Sequence, residues 1–248
     1  MKKVKVIILV LTHDIWPFDM MEKCIRETWG KYKHPNVEIY YNHSGGDESK
    51  IIGDIIKIPD TDGYHNIGYK TISAFELLLK KDFDYIFRPN SSSFVNIPRL
   101  LDYIQTLPTE KFYAGSPIPY LHGGLNEDDY NNSAPKLCCS GCGYFMSRDL
   151  VQLIVDKKEM WQHRLIDDLA LCKFLKDNDI DMVENSRLKV HDATDSDVFS
   201  FGYRISKEEI LKEYHITVRT SEILTDHPTP RENNCNIIKT LYKIVYEN

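Results

Sequence analysis

Short apolar runs alternate along this chain with segments whose apolar residues recur every three to four positions. Val4–Leu11, Val37–Tyr41, Ile51–Ile58, Phe83–Phe87, Phe112–Gly115, Gly143–Ser147 and Ile180–Glu184 read as strands. Between them, Asp19–Trp29, Ile67–Lys80, the stretch from Pro98 to about Gln105, Arg148 to about Val155, and Ile166–Lys176 carry the helical period. Gly30 stands where a helix C′ glycine belongs, and Pro98 falls in a first helical turn. Strands that alternate with helices are joined by crossovers, and crossovers make neighbouring strands parallel. The expectation is an α/β protein with a mostly parallel sheet flanked by helices.

The 248 residues are enough for one large domain. Beyond Lys189 the periodicity fades, so a core over 1–190 and an irregular C-terminal extension over 191–248 are expected. That extension would pack on the ligand site and close it, with short helices at Lys207–Glu213 and Ile237–Tyr246. A net charge of −6 argues against general electrostatic attachment to nucleic acid or an anionic membrane. The uninterrupted apolar run Val6–Leu11 is shorter than a signal-peptide core and far shorter than a membrane span, so no transmembrane segment is expected. A cytoplasmic protein is expected, in a host cytoplasm if the source is a virus. Its six cysteines, too sparse for a disulfide scaffold, would remain thiols. Cys139-Ser140-Gly141-Cys142 has C-x-x-C spacing, but no second close pair completes a zinc site. Packing of small residues is the better reading.

In α/β sheets ligands bind beyond the carboxyl ends of the strands. Thr12–Trp16, Arg88–Asn96, Pro117–Gly141 and the turn before Asp167 are therefore the segments to interrogate. Pro117–Pro135 is long, irregular and rich in Tyr, Asn, Asp and Gly, as functional loops are. The strand Phe83–Phe87 runs through Arg88-Pro89 into Asn90-Ser91-Ser92-Ser93 and then into a helix that Asn96 would cap. Asp167-Asp168 opens another helix. Acids are favoured there by capping and by the helix dipole, and such a carboxylate is also suited to general-base work.

Four blocks in order resemble the galactosyltransferase and fringe group of GT-A glycosyltransferases. They are Ile25-Arg26-Glu27-Thr28-Trp29-Gly30, Tyr64-His65-Asn66-Ile67-Gly68-Tyr69-Lys70-Thr71, Tyr85 to Asn96, and Ser140 to Ser147 followed by Asp167-Asp168-Leu169. The resemblance covers about Lys3 to Glu184 and implies a GT-A fold. It implies transfer of a sugar from a nucleotide-diphospho sugar, a UDP-sugar above all, to a glycan or glycoconjugate hydroxyl, with inversion. Asp168, with Asp167 beside it, occupies the family's base position. Thr12, His13, Asp14 and Arg26 fall on the nucleotide side of the donor site. In the donor site, Asn90 and Ser92, with Ser91 between them, are expected to hydrogen-bond the donor ribose or phosphate directly, and Lys70, Arg88 and His191 are candidates to stabilise the departing diphosphate. Tyr120, His122, Gly141 and Trp161 are expected at the acceptor. For Arg26 the competing reading is a structural salt bridge, and for His191 an ordinary loop histidine.

One departure stands out. Where the family carries Asp-x-Asp to hold a divalent cation, this chain has Asn90-Ser91-Ser92. Mg²⁺ and Mn²⁺ prefer sites with at least one carboxylate. The expectation is no metal ligand here, no required cofactor, and any Mn²⁺ or Mg²⁺ only weakly anchored. Positioned cations would then stabilise the leaving diphosphate, with Arg204, His215 and Arg219 as further candidates. The rival reading is a non-catalytic sugar- or nucleotide-binding module on the same fold. A sugar nucleotidyltransferase fits less well, because Thr12-His13-Asp14-Ile15-Trp16-Pro17 is no Gly-rich phosphate loop.

Overall fold

The computed structural model describes residues 3–59, 66–119, 137–163, 165–184, 188–193, 216–222 and 230–247. In chain order the strands are β1 (Val6–Leu11), β2 (Val37–Ser44), β3 (Lys50–Ile52), β4 (Ile55–Ile58), β5 (Tyr85–Arg88), β6 (Ser93–Val95), β7 (Tyr113–Pro119), β8 (Leu137–Ser147), β9 (Val183–Glu184), β10 (Leu188–Ala193) and β11 (Thr217–Glu222). The helices are α1 (Phe18–Glu27), α2 (Ile67–Leu78), α3 (Ile97–Ile104), α4 (Arg148–Asp156), α5 (Asp167–Lys176) and α6 (Pro230–Tyr246).

The main sheet has the order β3-β4-β2-β1-β5-β8-β7-β9. β1 lies at its centre, parallel to β2 from Val6↔Val37 to Leu11↔Asn42, and parallel to β5 from Val6↔Tyr85 to Ile8↔Phe87. Successive strand residues point to opposite faces, so β1 feeds two cores. Val6, Ile8 and Val10 meet Met21, Cys24 and Ile25 of α1, Ile97, Leu100 and Ile104 of α3, and Ile237, Ile238 and Leu241 of α6. Ile7 and Leu9 meet Ile72, Phe75 and Leu78 of α2, Leu150 and Ile154 of α4, and Leu169 and Leu175 of α5. A strand apolar on both faces requires helices on both sides, and this one has them.

The α/β architecture expected from the alternation is the one observed, with local differences. Ile51–Ile58 is a hairpin rather than one strand. β3 pairs antiparallel with β4, and Gly53 at φ +62° makes the turn between them. β2 runs beyond the expected end at Tyr41, as far as Ser44. β8 begins six residues before the expected Gly143, at Leu137, and runs antiparallel to both β5 and β7. The sheet is therefore mixed on that side. Ser93–Val95 forms β6 of a second sheet, antiparallel to β11, which in turn is parallel to β10.

The expected boundary at 190/191 falls inside β10. β11 continues the sheet begun by β6, and α6 buries Cys235, Ile237, Ile238, Leu241 and Ile244 in the same core as β1. The terminal helix starts earlier than expected, with Pro230 at its first position, where the missing N–H costs nothing. The expected helix Lys207–Glu213 lies outside the described residues. Among the described residues no helix is long and apolar enough to cross a membrane. All six cysteines are buried free thiols.

Candidate active site

The carboxyl end of β1 and the loop after β5 are zipped together by backbone hydrogen bonds. Leu11 N–H donates to the Pro89 carbonyl (3.0 Å), and Ser91 N–H donates to the Leu11 carbonyl (3.1 Å). Asn90 N–H donates across to the Gly141 carbonyl of β8 (3.1 Å), and Ser93 N–H closes a tight turn onto the Asn90 carbonyl (3.0 Å). Ser93 Oγ donates to the Cys142 carbonyl (2.9 Å), and the buried Trp29 donates Nε1–H to the Ser93 carbonyl (3.1 Å). The Asn96 side chain accepts from Arg99 N–H (3.1 Å), capping α3 as expected. The polar triplet is thus held rigidly at the sheet's carboxyl edge.

Arg88 ends β5 opposite Tyr144 of β8, with its side chain 1% exposed. Its guanidinium donates to Asn90 Oδ1 (2.9 Å) and to Asp167 Oδ2, and its Nη1 lies 3.6 Å from Asp168 Oδ1. Burial opposes its charge, but Asp167, Tyr144 and Asp168 outweigh that, and the guanidinium is held protonated even more firmly than usual. α5 opens directly on the two acids, after Ile166 in an extended conformation. Their side chains are 10% and 14% exposed respectively. Asn90, two residues along the loop from Arg88, and the remote acid pair Asp167-Asp168 of α5 therefore converge on one buried cation. The two α5 carboxylates draw Arg88 inward, so its side chain is buried at this strand end.

Lys70 is buried as well. It is 3% exposed, and its Nζ donates to the Thr12 carbonyl at 2.5 Å, stapling α2 to the loop after β1. Thr12 is buried, donating Oγ1–H to the Phe18 carbonyl (3.3 Å) and N–H to the Asn42 carbonyl (3.3 Å). His13 Nδ1 lies 3.0 Å from Asp14 Oδ1, and Asp14 also pairs with Lys57, whose hydrogen bond holds that carboxyl below its ordinary range. Arg26 takes the structural alternative. It donates to Glu22 Oε1 (2.8 Å) and Asp54 Oδ2 (2.6 Å), and stacks 3.8 Å above the Tyr41 ring.

Within the triplet, Ser91 and Ser92 are buried and Asn90 is partly exposed. Trp161 is 4% exposed, packed against Gly68, where an added Cβ would stand 2.5 Å from its indole nitrogen, and near Phe174. It is a core residue rather than an acceptor surface, because Gly68 lets the indole sink into the α2–α5 interface. Beside it, the half-exposed Tyr69 stacks on His163, a pairing that sequence spacing does not reveal. Gly141 lies directly beneath Asn90. His191 stands in β10 opposite Thr220, and Arg219 in β11 stands opposite Ser93. Tyr120, His122, Arg204 and His215 lie outside the described residues.

A divalent cation finds a poor donor set in this loop. Asn90 Oδ1 is taken by Arg88, the serines are buried, and the nearest carboxylates are paired with the guanidinium. Among the described residues no group of three or more His, Cys, Asp or Glu side chains is arranged to hold a metal.

A mixed α/β sheet covered on both faces thus carries a clamped polar loop and an acid pair at the carboxyl end of its central strands, the edge at which such sheets take ligands. The chain belongs to the galactosyltransferase family, whose pattern residues 22–186 match. It is 28% identical over 193 residues to the pig (Sus scrofa) UDP-GalNAc:beta-1,3-N-acetylgalactosaminyltransferase 1, covering 71% of this chain and 58% of that protein. The human protein of the same name is 33% identical over 121 residues, 44% of this chain and 37% of that one. Mouse beta-1,3-galactosyltransferase 1 is 28% identical over 177 residues, 60% and 52% of the two chains. The chain thus spans little more than half the length of the curated relatives it matches. A solved galactosyltransferase, LgtC with donor and acceptor sugar analogues, aligns over 95% of both chains at 10% identity with a TM-score of 0.49.

Proposed function

We propose that this protein is a glycosyltransferase that moves a sugar from a nucleotide-diphospho sugar, a UDP-sugar first, to a hydroxyl of a glycan. The observation that carries the reading is the convergence of Asn90, Asp167 and Asp168 on Arg88 at the sheet's carboxyl edge. Family membership and the names of the relatives support the same reaction class.

Asp168 is the base. The acceptor hydroxyl gives its proton to this carboxylate as its oxygen bonds to the anomeric carbon. The bond from that carbon to the diphosphate oxygen breaks, and the electron pair leaves with the diphosphate. Attack opposite the leaving group inverts the anomeric centre. Asp167 hydrogen-bonds the guanidinium directly and serves to anchor it, whereas Asp168 stands off at 3.6 Å and is the more exposed of the two. The triplet Asn90-Ser91-Ser92 stands in for the family's acidic metal loop, so transfer proceeds without a divalent cation anchored there.

Thermal shift with a panel of nucleotide sugars, with and without chelator, tests the donor class, since a ligand that binds the native state raises its melting temperature. A UDP-sugar is expected to stabilise the protein equally in EDTA. Transfer or donor hydrolysis that disappears in Asp168→Asn while donor binding persists supports the enzyme. Donor binding with no turnover in the unaltered protein would make it a non-catalytic module.

A further inference from the structure

Arg88 controls more than charge in this site. A guanidinium has only donors, so the Asn90 atom 2.9 Å from its Nη1 is the amide oxygen. That contact settles which end of the amide points which way. The other end, Nδ2, lies over Gly141, in the space a Cβ would occupy, and makes no hydrogen bond to a described residue. Asn90 is the one member of the triplet Asn90-Ser91-Ser92 that is not buried. The accessible polar group of the loop is therefore an N–H donor rather than a ligand oxygen.

The arrangement cannot reverse cheaply. Arg88 is wholly buried, held from α5 by Asp167 and Asp168, with the Tyr144 ring 5.6 Å away. Flipping the amide would aim its N–H groups at the guanidinium and leave a buried cation with one fewer acceptor. Two carboxylates on α5 thus dictate, through Arg88, the polarity of a group on the loop after β5.

We propose that Arg88 is a positioning residue that turns this loop from a cation site into an anion site. Asn90 Nδ2 donates to an anionic oxygen of the bound ligand, a nucleoside diphosphate oxygen, in place of a metal ion held between carboxylates. The proposal rests on the nucleotide-sugar reading of the cleft and deepens it.

Calorimetric titration of the full chain with UDP, and separately with inorganic diphosphate, each in chelator and in Mn²⁺, tests it on four proteins: unaltered, Asn90→Ala, Asn90→Asp and Arg88→Lys. The unaltered chain is expected to bind in chelator, with no gain from Mn²⁺. Asn90→Ala removes the donor and should weaken binding about tenfold, the equivalent of losing one charge-assisted hydrogen bond, again without a metal response. Asn90→Asp has nearly the same shape, but its second oxygen replaces Nδ2. It should lose more than Asn90→Ala in chelator and recover in Mn²⁺. Arg88→Lys keeps a cation but not the fork that holds Asn90 Oδ1 and both acids together. It should weaken binding while unfolding with an unchanged denaturant slope. A purely structural role for these residues would not produce a metal response that appears only in Asn90→Asp. Equal affinity of Asn90→Asp and the unaltered chain in chelator overturns the proposal, and so does an unaltered chain that needs Mn²⁺ to bind. If that happens while transfer is intact, the enzyme reading survives alone. If the unaltered chain binds without metal and never transfers, the anion site survives alone. An unaltered chain that binds neither probe overturns both.

Discussion

Asp167 and Asp168 are neighbours in sequence that engage Arg88 differently. Asp167 hydrogen-bonds the buried Arg88, and Asp168 stands at 3.6 Å. On the proposed mechanism, Asp168→Asn is therefore expected to lower kcat by about 10²- to 10⁴-fold, the usual worth of a general base, with a smaller loss of urea stability than the same change at Asp167. Asp167→Asn leaves a buried guanidinium short of a partner and should cost about 3 kcal/mol in the same denaturation. A second buried pair makes a pH prediction. Glu22 Oε2 lies 2.5 Å from His43 Nε2, and Arg26 holds the other oxygen. Burial pushes the Glu22 carboxyl up, but the bonds from His43 and Arg26 outweigh it, and the net shift is below its ordinary 4.5. A carboxyl depressed in the folded state contributes stability above its unfolded value and loses it as pH falls through the folded one. Urea midpoints should therefore decline on acidification below the ordinary Glu range, and Glu22→Gln should flatten that decline. The acids and the triplet were legible as candidates from sequence. Their engagement with Arg88 was not, because nothing local reveals which strand end a helix start will face.

At the scale of elements, β8 shows where periodicity runs out. Gly143–Ser147 reads as a strand because Tyr144, Phe145 and Met146 are bulky and apolar, whereas Leu137–Gly141 is mostly small and has no alternation. Leu137, Cys138 and Cys139 find their strand partners in Pro119, Ile118 and Pro117 of β7. β6, a three-residue strand, likewise finds its partner in β11. Two glycines in β8 have different reasons to be glycine. Gly143 has φ +148°, and a Cβ there would drive into the buried Phe87 ring. Gly143→Ala should destabilise the fold by about 2–3 kcal/mol, read from the urea midpoint. Gly141→Ala would instead displace the Asn90 amide. It should weaken UDP binding in calorimetry more than it lowers stability. A larger stability loss at Gly141 than at Gly143 would contradict this division.

For the molecule as a whole, the decisive element is α6, which closes the core over one face of the main sheet. Its five buried apolar side chains, Cys235, Ile237, Ile238, Leu241 and Ile244, contribute about 1.5–3 kcal/mol each by removal from water, which together is comparable to the whole stability of a domain. A chain ending before Pro230 is accordingly expected to lose cooperative unfolding in urea, monitored by circular dichroism. A truncated chain that unfolds in one sharp transition would restore the picture of a separable extension. By itself the sequence determined the α/β class, the placement of most helices and the buried character of β1. These follow from local periodicity and from the requirement that a doubly apolar strand be covered on both faces. Only the tertiary structure decided that β8 runs antiparallel, that the C-terminal helix belongs to the core, and that Arg88, Lys70 and Trp161 face inward. Each of these depends on which remote residues share an interior, and burial is a property of the assembled chain that no stretch of it carries alone.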